Sequence, residues 1–108
     1  MFEKKMISAK KAKELTKRGT DRKSKARIKE VTKHINNYIE ISAMQGDTYT
    51  VYSCYDNGTL PMVSVKRIHE YYCALGYNVE VKVEEPDDYS ISIYSRYTFT
   101  IDWSDYND

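Results

Sequence analysis

The stretch YSISIYSRYTFTIDW, residues 89–103, alternates for fifteen residues and constrains the fold more than any other segment. Tyr89, Ile91, Ile93, Tyr97, Phe99, Ile101 and Trp103 share one parity, and only Ser95 breaks it. Ser90, Ser92, Tyr94, Arg96, Thr98, Thr100 and Asp102 take the other. Successive side chains of a strand point to opposite faces, so this strand has one apolar and one wet face. YNVEVKVEE, residues 77–85, repeats the pattern, with Tyr77, Val79, Val81 and Val83 against Asn78, Glu80, Lys82 and Glu84. Two such strands imply an antiparallel sheet covered on one side. The expected core face is Val79, Val81, Ile91, Ile93, Phe99 and Ile101.

Thr48–Tyr55, TYTVYSCY, is β-branched and aromatic and reads as a further strand, closed by the turn residues DNG at 56–58. PDD at 86–88 marks another turn. SVKRIHEYYCAL predicts a helix over 64–75, with Ser64 as N-cap, Gly76 as stop, and Val65, Ile68, Tyr72 and Leu75 inward. Upstream, Ile28, Val31, Ile35, Tyr38 and Ile39 recur at helical spacing within a helix over 21–45 that Gly46 ends. Ser8 opens an earlier helix and Gly19 is a candidate stop. Ala26 and Ile28 stand about 200° apart on a helix, so a break near Gly19–Lys23 is favoured over one rod. The order is helix, helix, strand, helix, strand, strand. The fold class is α+β, basic N-terminal helices with a small, mostly antiparallel sheet covered by helices on one face. Residues 1–20 form a basic helical arm and residues 21–108 a single domain, with helix 21–45, strand 48–55, helix 64–75 and strands 77–85 and 89–103.

The last strand would span about 50 Å if continuous, well beyond its partners. Its overhang is an open edge unless it bends, breaks near Ser95–Arg96, or pairs with another chain. Pairing between chains predicts a homodimer or higher homo-oligomer. The acidic tail SDYND is expected to fray.

Net charge is +1, but its distribution is lopsided. Residues 1–34 hold thirteen Lys/Arg against four Asp/Glu; residues 35–108 hold four against twelve. Ten of the bases lie between Ala9 and Glu30 with three acids, too few to pair them. Such a segment implies an anionic partner, bound by Coulomb attraction and counterion release. Eleven tyrosines are the second signal. Most suit strands anyway. Tyr52 and Tyr94 read as falling on the wet parity near Arg96, where an aromatic face and a cation suit a base with its phosphate. The candidate ligand-binding set is Lys10, Lys17, Arg18, Arg22, Lys25, Tyr52, Tyr94 and Arg96.

Catalysis finds little support. His34 and His69 read as isolated, without Cys, Asp or Glu at a metal-ligand spacing, and no phosphate loop is present. Glu84, Glu85, Asp87 and Asp88 read as a solvated turn. Cys54 and Cys73 read as reduced, half-buried thiols of a cytosolic protein. No enzyme activity, cofactor or metal is expected. No apolar run suits a membrane span or signal peptide.

MISAKKAKELT and LGYNVEVKV…YTFTIDWS resemble segments of short phage-encoded accessory proteins. These open with an Ile-Ser-Ala-x-x-Ala helix and end with a Gly-Tyr-x-Val strand and a terminal strand closing in Ser-Trp. Ile7, Ser8, Ala9 and Ala12 match the opening; Gly76, Tyr77 and Val79 match the later signature. Asp102-Trp103-Ser104 departs from the ending, and PDDYSISIYSR reads as extra material. The matching pieces cover about half the chain. The resemblance implies a phage product in a bacterial host cytoplasm and carries over no functional residue. Three functions fit. One is a non-catalytic binder of a nucleotide-like anion, either nucleic acid or a signalling nucleotide withheld from host defence. Another is an inhibitor docking its basic arm on an acidic host protein. The third is a structural oligomer.

Overall fold

A computed structural model of the chain describes residues 6–56, 60–86 and 94–106. It shows two helices and three strands: α1 (Ala9–Met44), β1 (Tyr49–Tyr55), α2 (Met62–Ala74), β2 (Asn78–Glu84) and β3 (Arg96–Asp102). The sheet order is β1-β3-β2, and β3 is antiparallel to both neighbours. The fold is α+β, as the alternation requires. β1, α2 and β2 form a crossover that leaves a one-strand gap, and the C-terminal strand fills it.

Register builds the core in rows. Thr50, Ile101 and Val79 align across the sheet, then Tyr52, Phe99 and Val81, then Cys54, Tyr97 and Val83. Tyr97, Phe99 and Ile101 are buried beneath Val31 and Ile35 of α1 and Val65, Ile68 and Tyr72 of α2. Val79 and Val81 pack at the margin of this cluster. Ile91 and Ile93, also expected in the core, lie outside the described residues.

β3 is as short as its partners and is paired on both sides along its length. Tyr94 and Ser95 lie before it in a bend, so no regular strand runs through the Ser95 parity break. The overhanging edge expected of this strand is therefore absent over residues 94–102. β1 and β2 are the edges instead. Of the tail expected to fray, residues 104–106 are described, and Asn107 and Asp108 lie outside the described residues. Trp103 N–H donates to Thr48 O at 2.9 Å, and Asp102 Oδ1 accepts from Ser104 N–H at 2.7 Å.

The largest correction concerns α1. It runs unbroken through Gly19 for 36 residues, about 54 Å. Apolar phase does not interrupt it because residues 6–23 are all exposed and have no core face to keep. Lys, Arg, Ala, Glu and Leu carry the helix, against a glycine cost of about 1 kcal/mol. The positive-φ glycines among the described residues are Gly46 (88°) and Gly76 (100°). Each ends a helix with paired backward hydrogen bonds: Gly46 N–H to Ala43 O and Asp47 N–H to Ser42 O; Gly76 N–H to Cys73 O and Tyr77 N–H to Tyr72 O. At Ser8 the side chain accepts from Lys11 N–H at 3.1 Å and caps the start. The radius of gyration is 18.7 Å, where a compact chain of this length would have about 13 Å. The excess reflects the projecting N-terminal half of α1.

Three smaller differences have local causes. α2 begins at Met62 with Pro61 at the cap, which puts Ser64 in the first turn and buries it. Leu75 is exposed, since the chain leaves the helix there. Tyr38 is exposed beside the core line of Ile28, Val31, Ile35 and Ile39, and sets its ring edge-on to Tyr52 at 5.3 Å.

Tyr72 joins the helices. Its hydroxyl donates to Asn36 Oδ1 at 2.6 Å, with Thr32 O at 3.1 Å. Burial, with Tyr71 and Tyr77 adding to it, pushes this phenol well above its ordinary 10.0. Burial also raises Tyr97 and Tyr52 above 10.0 and Cys54 above 9.0.

Truncating Ile101 to Ala will cost about 2–5 kcal/mol in urea unfolding. The raised phenols and thiol favour the folded state fully below their unfolded pKa values and lose that contribution as pH rises through the folded ones. Unfolding free energy will therefore fall as pH climbs through 9.0 and 10.0, and Tyr72→Phe will flatten part of that fall. At Gly19 an added Cβ meets nothing within 4 Å. Gly19→Ala will slow amide exchange across residues 12–22 about two- to fivefold, the equivalent of 0.5–1 kcal/mol of helix propensity.

Candidate anion-binding surface

Helical continuity arranges the charge. With one register from Ala9 to Met44, Lys11, Arg18, Arg22, Lys25 and Lys29 fall within about 60° of arc. Ten bases lie between Lys10 and Lys29. Half of them make a stripe about 27 Å long. The stripe lies about 100° from the core line, on the flank towards α2. Asn36, further along the same line, holds the Tyr72 hydroxyl, and Lys25 lines a cleft with Arg67 of α2. Lys10 and Lys17 lie nearer the core line, but at a level where α1 has left the core, so both are exposed.

None of the expected arm cations, Lys10, Lys17, Arg18, Arg22 or Lys25, makes an ion pair among the described residues. The described ion pair of α1 is Arg27 to Glu30 at 3.0 Å. Local pairing of Glu14 with Arg18, or Asp21 with Lys25, is not formed within 4 Å.

The aromatic part of the expected site is not brought to the arm. Tyr52 lies on the helix-covered face, opposite Phe99, rather than on the wet parity. Its ring stacks on His34 at 6.0 Å. Arg96 lies on the open face, between Tyr55 and Glu84 in register, and donates to Ser53 Oγ at 3.5 Å. Tyr94 is exposed ahead of β3. Tyr52 and Arg96 therefore present to opposite sides of one sheet, and neither joins the stripe.

Two groups escaped the sequence reading. Arg27 is wedged at the α1–β1 junction with its side chain 17% exposed. Its Nη2 donates to Tyr55 O at 3.4 Å, while Nε is buried without a partner among the described residues. No periodicity marks Arg27, because its burial comes from β1. His69 and Cys73 are the other pair. They stand one turn apart on α2, a spacing visible in the sequence and passed over there. Cys73 Sγ lies 3.7 Å from His69 Nε2, and that nitrogen is 3.2 Å from Val79 O. Both cysteines are free, but neither is half-buried: Cys54 is buried in β1 and Cys73 exposed on α2.

Among the described residues no group of three or more His, Cys, Asp or Glu could hold a metal ion. No helix among them is long and apolar enough to cross a membrane. The acidic turn is described only in part: Glu84 meets Lys82 at 3.4 Å, Glu85 is exposed, and Asp87 and Asp88 lie outside the described residues. No family model, curated protein or solved structure matches the chain.

Proposed function

We infer that this protein is a non-catalytic binder of nucleic acid, which it holds by the phosphate backbone along the exposed half of α1. One observation carries the reading: five cations in a single stripe on a continuous helix, without ion-pair partners among the described residues, on a helix whose residues 9–23 contribute nothing to the core. A rigid row about 27 Å long matches roughly eight nucleotide steps of one strand at 3.4 Å each. Contacts of this kind position a nucleic acid without reading its bases. The separation of Tyr52 and Arg96 from the stripe favours backbone contact over an enclosed base-and-phosphate pocket formed with the arm. The acidic remainder of the chain favours a short or single-stranded segment, since it repels whatever extends past the arm. In a phage setting such binding would act on nucleic acid in the host cytoplasm.

Fluorescence anisotropy with a short labelled single strand tests this. Affinity will fall with salt at a log–log slope of about −3.5 for five neutralised phosphates. Replacing Arg18 and Arg22 together by Gln will make that slope shallower by about 1.4. Amide exchange over residues 9–23 will slow on binding. Absence of binding at low salt, or a slope indifferent to Arg18 and Arg22, would refute the reading. Capture of an acidic protein with no affinity for the strand would replace it by the inhibitor alternative.

A further inference from the structure

We propose that the cleft between α1 and the start of α2 is a separate site for a phosphate monoester carried on a hydroxyl-bearing organic group, such as a nucleoside 5′-monophosphate. The cleft has a volume of about 310 Å³, within the range of small-molecule sites. It goes beyond the backbone reading, because α2 builds half of it and it shares with the stripe only Lys25.

Its floor is the uncapped end of α2. Pro61 stands at the N-cap and offers no side-chain acceptor. Its carbonyl takes the amides of Ser64 and Val65, so the amides of Met62 and Val63 have no partner among the described residues. A thirteen-residue helix concentrates partial positive charge at this point. Ser64 supplies an independent sign of a ligand. It is 2% exposed, it lines the cleft, and its hydroxyl makes no hydrogen bond among the described residues. The oxygen itself is not fully buried, since Arg27 Nε is the fully buried unpartnered side-chain atom among the described residues, so the hydroxyl stays open to an incoming acceptor. Here its neighbour is the cleft itself.

The rest of the lining selects the ligand. Lys25 and Arg67 approach from the two helices and give two cations to one anion. A phosphate monoester carries between one and two negative charges near neutral pH and offers several acceptor oxygens. It can therefore use both cations, the α2 amides and the Ser64 hydroxyl together. Ile28 and Val63 offer apolar surface to the organic part. Asp21 also lines the cleft, and its carboxylate opposes a second phosphate there but accepts from a sugar hydroxyl. One phosphate with a hydroxylated carrier satisfies the whole lining.

Amide shifts in ¹⁵N-labelled protein give the test, with adenosine monophosphate and adenosine as the paired probes. The monophosphate will move Val63 and Ser64, and adenosine will leave them in place. Arg67→Gln will weaken binding about tenfold, as loss of a charge-assisted contact does. Ser64→Ala will weaken it less, and Lys82→Gln, on the sheet and outside the cleft, will not change it. Equal response to both probes, no response at Val63 and Ser64, or indifference to both Arg67→Gln and Ser64→Ala would overturn the site. Single strands bearing a 5′-phosphate or a 5′-hydroxyl then identify the source. A preference for the phosphorylated strand makes the ligand a nucleic-acid end; equal binding beside a monophosphate response makes it a free monoester. If the strands bind with the stripe's salt slope while the monophosphate moves nothing, the cleft fails and the backbone reading stands. If the monophosphate binds and neither strand does, the cleft stands without it.

Discussion

The insertion of β3 between β1 and β2 is the constraint on which the rest of the structure depends. β1 and β2 have no hydrogen bonds to each other, and each is an edge. Without β3 the crossover through α2 would leave two isolated strands. With it, Tyr97, Phe99 and Ile101 form a central row that both helices cover. A sheet this small must bury one face to be stable. Tyr72 then holds the two covering helices together through Asn36 and Thr32.

Covering only one face has a second consequence. Tyr49, Val51, Ser53 and Tyr55 of β1, with Arg96, Thr98 and Thr100 of β3 and the charged residues of β2, remain on the open side. Most of the acids lie in this half of the chain, while the bases extend along α1 away from it. The molecule is therefore electrically bipolar although nearly neutral overall. Attraction between its two ends is screened over about 8 Å at physiological ionic strength. Two ends so far apart on a molecule 68 Å long act on partners separately.

The same helix supplies core and arm, which links stability to recognition. From Ile28 onward α1 is fixed by packing against the sheet and α2. Over residues 9–23, all of them exposed, it is held only by its own hydrogen bonds and the Ser8 cap. The folded half acts as a nucleus that spares the arm the cost of helix initiation. Fixed register is what gathers Lys11, Arg18, Arg22, Lys25 and Lys29 on one flank. A bend at Gly19 would have rotated Lys11 and Arg18 away from Arg22, Lys25 and Lys29.

The sequence by itself determined the fold class, the three strands and α2 to within a few residues except for the start of β3, and much of the core. Alternation in β2 and β3 set their inner parity, because a period of two has only two solutions and one was apolar. Helical spacing found Ile28, Val31, Ile35 and Ile39, and the glycines at 46 and 76 ended their helices as composition implied. Tertiary structure decided the rest. β1 carries aromatic residues on both parities, so only its register against Phe99 could turn Tyr52 inward and Tyr49 and Tyr55 out. Gly19 permits a stop without forcing one, and with no packing on the arm nothing imposed it. Ser64 reads locally as a cap; the approach of α1 is what buried it and opened a cleft before it. Neither Arg67 nor Lys25 carries a local mark of that cleft, since it exists only where two distant segments of the chain converge.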